Sequence, residues 1–222
     1  MLKPKRKITR KEIKKDPFLE SIDKLENNFE QNKKTYLNIG IGLIASVLVI
    51  NILLNKQSQK NIDSNSDLGM ALVAFDNEDY DNAKFQFETI VSEYSGTNSS
   101  NVANYYLGKI SFENDDLDKS KTYLNAYLKD PDPDILIPGA IKMLSNIALK
   151  SSEYDKAIKL LDRGIRLDLN SDIINDFKLL KVSILKDQGK PEIAQNILDE
   201  ILKEEKLPNH LKRLSEELIG MM

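Results

Sequence analysis

Apolar and polar positions fall into three regimes along the chain. At the front, Phe18, Ile22, Leu25 and Phe29 stand at 4-3-4 spacing. That spacing places them on one stripe of a helix, with Asp16 as its cap and Pro17 at the first helical position. Residues 37–54, LNIGIGLIASVLVINILL, contain no charged side chain. As a helix they would extend roughly 27 Å, close to the ~30 Å hydrocarbon core of a bilayer, so a single membrane crossing is predicted. From residue 66 onward the pattern becomes periodic, with paired amphipathic segments and short polar turns returning every 37 residues.

The period holds in several columns. Aligned on Tyr154, steps of 37 residues give Tyr80, Leu117 and Pro191. Three residues later stand Ala83, Ser120, Ala157 and Ala194, all small; then Phe87, Leu124, Leu161 and Leu198, all large and apolar; then Val91, Leu128, Ile165 and Leu202. Small, large, large at i, i+4 and i+8 describes one face of a helix that packs closely on a neighbour. Asp79 and Asp116 precede the anchor column as candidate caps, and Pro191 suits a first helical turn. Upstream of each anchor lies a second apolar-periodic stretch: LGMALVAF, NYYLGKISF, IKMLSNIAL and FKLLKVSIL. Each unit is therefore predicted as helix, turn, helix. Four such units must stack to bury a shared core, and LPNHLKRLSEELIGMM is expected to form a helix that covers the end of the stack.

These residues resemble the tetratricopeptide repeat family: Leu107 and Gly108 with Ser120 and Leu124, and again Tyr154, Ala157 and Leu161, follow its pattern over about residues 66–206. The usual repeat is 34 residues, no unit here carries the family's tryptophan, and the close-approach glycine at Gly108 is Ala71, Ser145 and Val182 in the other units. The resemblance implies an all-α solenoid whose first helices line a concave groove for peptide segments of protein partners. Carried over position by position, that groove takes Leu68, Leu72 and Phe75, then Tyr105, Lys109 and Phe112, then Lys142, Asn146 and Leu149, then Leu179, Ser183 and Lys186.

Charge supplies a direction. Residues 1–36 hold eleven Lys and Arg against six Asp and Glu, whereas residues 55–222 hold 21 against 29, so the two sides of the apolar run carry +5 and −8. Only Lys56 and Lys60 lie close behind the run, and basic flanks stay in the cytoplasm, so the body is expected outside it. The expected organisation is a basic cytoplasmic head over 1–36, a span over 37–54, a linker over 55–65, repeats over 66–206 and a capping helix over 207–222. Its layout is similar to that of anchored bacterial inner-membrane proteins such as the ancillary subunit of the SecYEG translocon. The basic stretch KPKRKITRKEIKK suits anionic lipid rather than nucleic acid. Gly42 and Ser46 form a small-xxx-small pair that permits homodimerisation through head and span.

Nothing in the sequence points to catalysis, a cofactor or a metal. GIGLIA, residues 40–45, fits a dinucleotide pattern but has no preceding strand and lies within the apolar run. Asp130, Asp132 and Asp134 have calcium-loop spacing, yet Ile135 stands where the loop needs glycine and Ile141 where it needs glutamate. Asn98-Ser99-Ser100 is a glycosylation acceptor in a eukaryotic host alone. There is one histidine, His210, expected on the surface, and no cysteine. The expectation is a non-enzymatic, membrane-anchored binding module for protein partners in export, folding or envelope assembly. The alternative is a structural organiser that spaces envelope complexes without gripping peptides.

Overall fold

A computed structural model of the chain describes residues 17–221, all of whose regular structure is helical. The basic stretch before Asp16, and the Asp16 cap itself, lie outside the described residues. The chain divides into two compact units, residues up to 58 and from 59 onward.

In the first unit, α1 spans Pro17–Gln31 and opens on the proline, as the missing N–H allows. Ile22, Leu25 and Phe29 are exposed along it. Helix α2, Lys33–Asp76, contains the uncharged run and meets the length and hydropathy of a membrane span, with a mean hydropathy of 2.4 and none of that window packed inside the protein. Two polar side chains in the run bond to their own helix. Ser46 Oγ donates to the Gly42 carbonyl at 2.8 Å, and Asn51 Nδ2 reaches the Val47 carbonyl at 3.5 Å.

Residues 55–65, expected as the linker, are helical, as part of α2. They contain neither proline nor glycine to end a helix, and within the second unit Lys60 Nζ donates to the Ser95 carbonyl at 2.9 Å while the buried Ser64 hydroxyl lies 3.2 Å from that of Ser99.

The second unit stacks helix pairs. The end of α2 pairs with α3 (Tyr80–Glu93), α4 (Asn98–Glu113) with α5 (Leu117–Tyr127), α6 (Ile137–Lys150) with α7 (Tyr154–Ile165), and α8 (Ser171–Asp187) with α9 (Pro191–Leu202). The anchor column supplies the first residue of every second helix. The first helices end on Asp76, Glu113, Lys150 and Asp187, again 37 residues apart. Their starts do not keep that step, because the connections between repeats vary. The segment 130–136, for example, contains a 3-10 turn at Asp134–Leu136 and is held by Tyr127 Oη donating to the Pro133 carbonyl at 2.7 Å.

The constant element is the turn within each repeat. Glu78, Asp115, Ser152 and Gly189 have φ of 62, 58, 59 and 68°, and each donates its N–H to the carbonyl three residues back. The following residue, Asp79, Asp116, Glu153 or Lys190, donates to the carbonyl five residues back. This is the Schellman arrangement, which satisfies the last carbonyls of one helix while aiming the chain into the next. Asp79 and Asp116 then cap from the other side, accepting from the N–H groups of Asn82 and Lys119 at 3.4 and 3.3 Å.

Packing follows the columns with one shift. Ala83, Ser120, Ala157 and Ala194, and Phe87, Leu124, Leu161 and Leu198, are all fully buried. The third buried column is Ile90, Tyr127, Gly164 and Ile201, one residue before the expected Val91, Leu128, Ile165 and Leu202, of which Leu128 is buried as well. A stripe facing one neighbour follows i, i+4, i+7, since seven residues make nearly two whole turns at 3.6 per turn. The glycines are explained by contact. A Cβ on Gly108 would sit 2.6 Å from Leu124 Cγ, and one on Gly164 would sit 2.5 Å from Phe177 Cε2. Ser120 Oγ also donates to the Gly108 carbonyl at 2.8 Å, fastening the two helices of that repeat. Helix α10, Asn209–Gly220, buries Leu211, Ser215 and Leu218, and two of these join the core that α8 and α9 share.

Candidate functional site

The twelve positions carried over from the family fall on successive first helices, and the structure brings the ones nearest the front of the stack into one aromatic and cationic surface. Leu68, Leu72 and Phe75 are half-buried against the first core cluster. Phe75 contacts Tyr106 edge-on at 5.0 Å and Tyr80 at 5.3 Å, and Tyr106 stacks on the buried Phe87 at 5.3 Å. Tyr105 continues the chain of rings, perpendicular to Tyr106 at 5.3 Å and edge-on to Tyr127 at 5.6 Å. It leans over Gly139, where any Cβ would collide with its phenolic oxygen. Burial pushes the phenols of Tyr105, Tyr106 and Tyr127 above their ordinary value, so all three stay neutral donors at physiological pH.

Lys109 Nζ sits 5.1 Å above the Phe75 ring, and Lys150 Nζ sits 5.7 Å from the Phe112 ring. The negative face of an aromatic ring holds a cation at about 0.5–1 kcal/mol when exposed, without neutralising it. The two lysines differ in what else they meet. Lys150 pairs with Asp115 at 2.6 Å, whereas Lys109 has no carboxylate partner among the described residues.

Further along the stack the positions diverge. Lys142 pairs with Asp176 at 2.8 Å across the third and fourth repeats. Asn146 is exposed, and Leu149 and Ser183 are half-buried. Leu179 is only 2% exposed and belongs to the third core cluster, so it offers little surface. Lys186 Nζ lies 3.8 Å from Met221 Sδ. The twelve carried-over positions leave out Tyr106 and Tyr127, and also Tyr80, which stands in the sequence only as an anchor of the repeat; these three rings hold Phe75 and Tyr105 in place. The doublet Tyr105-Tyr106 was the available signal. Its second ring points toward the preceding repeat, which only the stacked arrangement reveals.

Among the described residues, no group of three or more His, Cys, Asp or Glu side chains is placed to hold a metal ion. Asp130 and Asp132 instead accept from Asn101 and Asn98, through the Asp130 carbonyl and the Asp132 carboxylate, tying the loop to α4. His210 is exposed on α10.

No curated protein matches the sequence. A family profile described as a tetratricopeptide repeat-like domain matches residues 27–206. Stacked helix pairs, the small and large columns between them, and a match over most of the length agree: the chain belongs to the tetratricopeptide repeat-like domain family.

Proposed function

We propose that this protein is a membrane-anchored interaction module whose repeats bind peptide segments of protein partners on the extracytoplasmic side of a bacterial inner membrane, in export, folding or envelope assembly. Domains of this family serve in general as protein-interaction modules. One observation carries the choice of site: Lys109 rests on an aromatic ring, unneutralised, beside the half-buried Tyr105. A cation held over one ring suits a peptide that offers a carboxylate next to an apolar side chain. The twelve-position groove from Leu68 to Lys186 is the surface proposed, with Phe75, Tyr105 and Lys109 at its centre.

The test is photocrosslinking from position 105 in intact membranes, followed by the double substitution Tyr105→Ala with Lys109→Glu. Loss of the crosslinked partner in the double variant, with helical content retained, is the expected result. Unchanged co-purification of every partner would remove the groove from consideration.

Anchoring rests on the uncharged run in α2 and on the excess of Lys and Arg before it. A phosphatase reporter fused after Met222 should be active and a fluorescent reporter that matures only in the cytoplasm should stay dark. The reverse pattern would invert the topology. The second reading, a structural organiser that dimerises through head and span, is favoured by the exposed Ile22, Leu25 and Phe29 of α1. Crosslinks from position 105 confined to a second copy of the chain would support it over peptide capture.

A further inference from the structure

Lys109 and Phe75 stand in two columns of the repeat, and Lys109 Nζ, 5.1 Å above the Phe75 ring, joins the second repeat to the first. Thirty-seven residues on, the same two columns hold Asn146 and Phe112, and a further step gives Ser183 and Leu149. A cation stands in this pair of columns at one junction alone. The other lysines along the track are already matched. Lys142 pairs with Asp176 at 2.8 Å, Lys150 over Phe112 pairs with Asp115 at 2.6 Å, and Lys186 lies against Met221. Lys109 has no carboxylate partner among the described residues, and Glu113, one turn further along α4, forms no ion pair with it.

The surroundings of Lys109 say what kind of group it meets. Tyr105 stands one turn before it on α4, where side chains four apart share a face. Burial pushes the Tyr105 phenol up, so its O–H stays on, and its Oη has no hydrogen-bond partner among the described residues, whereas Tyr127 Oη is taken by the Pro133 carbonyl. An ammonium and a phenol both offering donors call for a ligand that brings acceptors. Half-buried apolar side chains flank the pair on both sides, Leu72 and Phe75 toward the first repeat and Phe112 toward the third. A terminal carboxylate would end the ligand at Lys109 and leave one flank uncovered; a side-chain carboxylate lets the ligand continue across both. First helices at ~8–10 Å spacing and ~3.3 Å per extended residue make the path from α2 past α4 to α6 about six residues long.

We infer that the groove reads the charge of its ligand at one place, the junction of the first and second repeats, and that what it reads there is an internal Asp or Glu with an apolar residue on each side. The inference rests on the proposed peptide-binding groove and narrows its ligand class. Lys109 Nζ takes the carboxylate, Phe75 with Leu72 takes one apolar neighbour and Phe112 the other, and the Tyr105 O–H donates to a main-chain carbonyl of the segment. Asn146 and Ser183, in the column of Lys109, read no charge.

The test is selection on the full-length protein in lipid nanodiscs from a displayed library of random segments of about that length, fused at both ends so that no terminus is free. Selected segments should be enriched several-fold in Asp or Glu next to Leu, Ile or Phe. Lys109→Gln should abolish the acid preference, Lys109→Arg should keep it, and Lys109→Glu should replace it with a preference for Lys or Arg. Lys159→Gln, at an exposed position on α7, should change nothing. An acid preference that survives Lys109→Gln, that is lost in Lys142→Gln instead, or that emerges only from a library with free carboxyl ends would each overturn the inference. Selected segments without any charge preference would overturn it and leave the groove standing, whereas selection of no segment at all would overturn both.

Discussion

Glu78, Asp115 and Ser152 hold backbone conformations that favour glycine, and only the fourth turn places glycine there, at Gly189. A left-handed residue with a side chain costs roughly 1–2 kcal/mol, and the Schellman bonds on either side keep it in place. Ser152→Gly should therefore raise stability by about 1 kcal/mol, and Gly189→Ala should lower it by a similar amount, both read as midpoint shifts in urea denaturation. Side-chain space around these positions cannot account for such changes, because a Cβ on Gly189 would meet nothing within 4 Å. The close-approach glycines behave differently. Gly108 and Gly164 are kept by contact with Leu124 and Phe177 rather than by backbone angle.

Each second helix begins beneath a charged residue that also ends the preceding turn. Asp116 is held below its ordinary value of 3.8, chiefly by the Lys119 side chain and then by the Lys119 N–H; Glu153 is held below 4.5, chiefly by Lys156. A carboxylate lowered on folding contributes stability that is present above its unfolded value and is lost as pH falls through its folded value. Helical stability should thus decline on acidification below about pH 4.5, and the decline should be smaller in Asp116→Asn with Glu153→Gln. Urea titrations at a series of pH values measure this, and identical slopes in both proteins would exclude these two caps as the source. Both groups are exposed, so salt should weaken the effect.

In a stack where each repeat touches only its neighbours, the ends decide how unfolding starts. Helix α10 covers Leu198 and Ile201 with Leu211 and Leu218. Leu211→Asp would place a charge in that fully buried position, at a cost of several kcal/mol unless the helix detaches. The expected outcome is detachment, with faster amide exchange over α9 and α10 and little change over α4 and α5. Uniformly faster exchange across all repeats would instead indicate a single cooperative unit.

The 37-residue step in the sequence determined the helix pairs, the first residue of every second helix and the small and large columns, because burial in a stacked array recurs wherever the environment recurs. The uncharged run and the charges around it likewise need no fold to be read. What the sequence left undecided depends on side chains meeting across repeats. The third column moved by one residue because helix geometry, not column spacing, sets which side chain faces inward. The 55–65 segment became helix because Ser64 and Lys60 find partners 35 residues away. Of the twelve proposed groove positions, Leu179 is withdrawn into the core and Lys142 is paired, while Lys109 rests over Phe75. One-dimensional pattern fixes what repeats; only packing in three dimensions assigns each repeated position a neighbour.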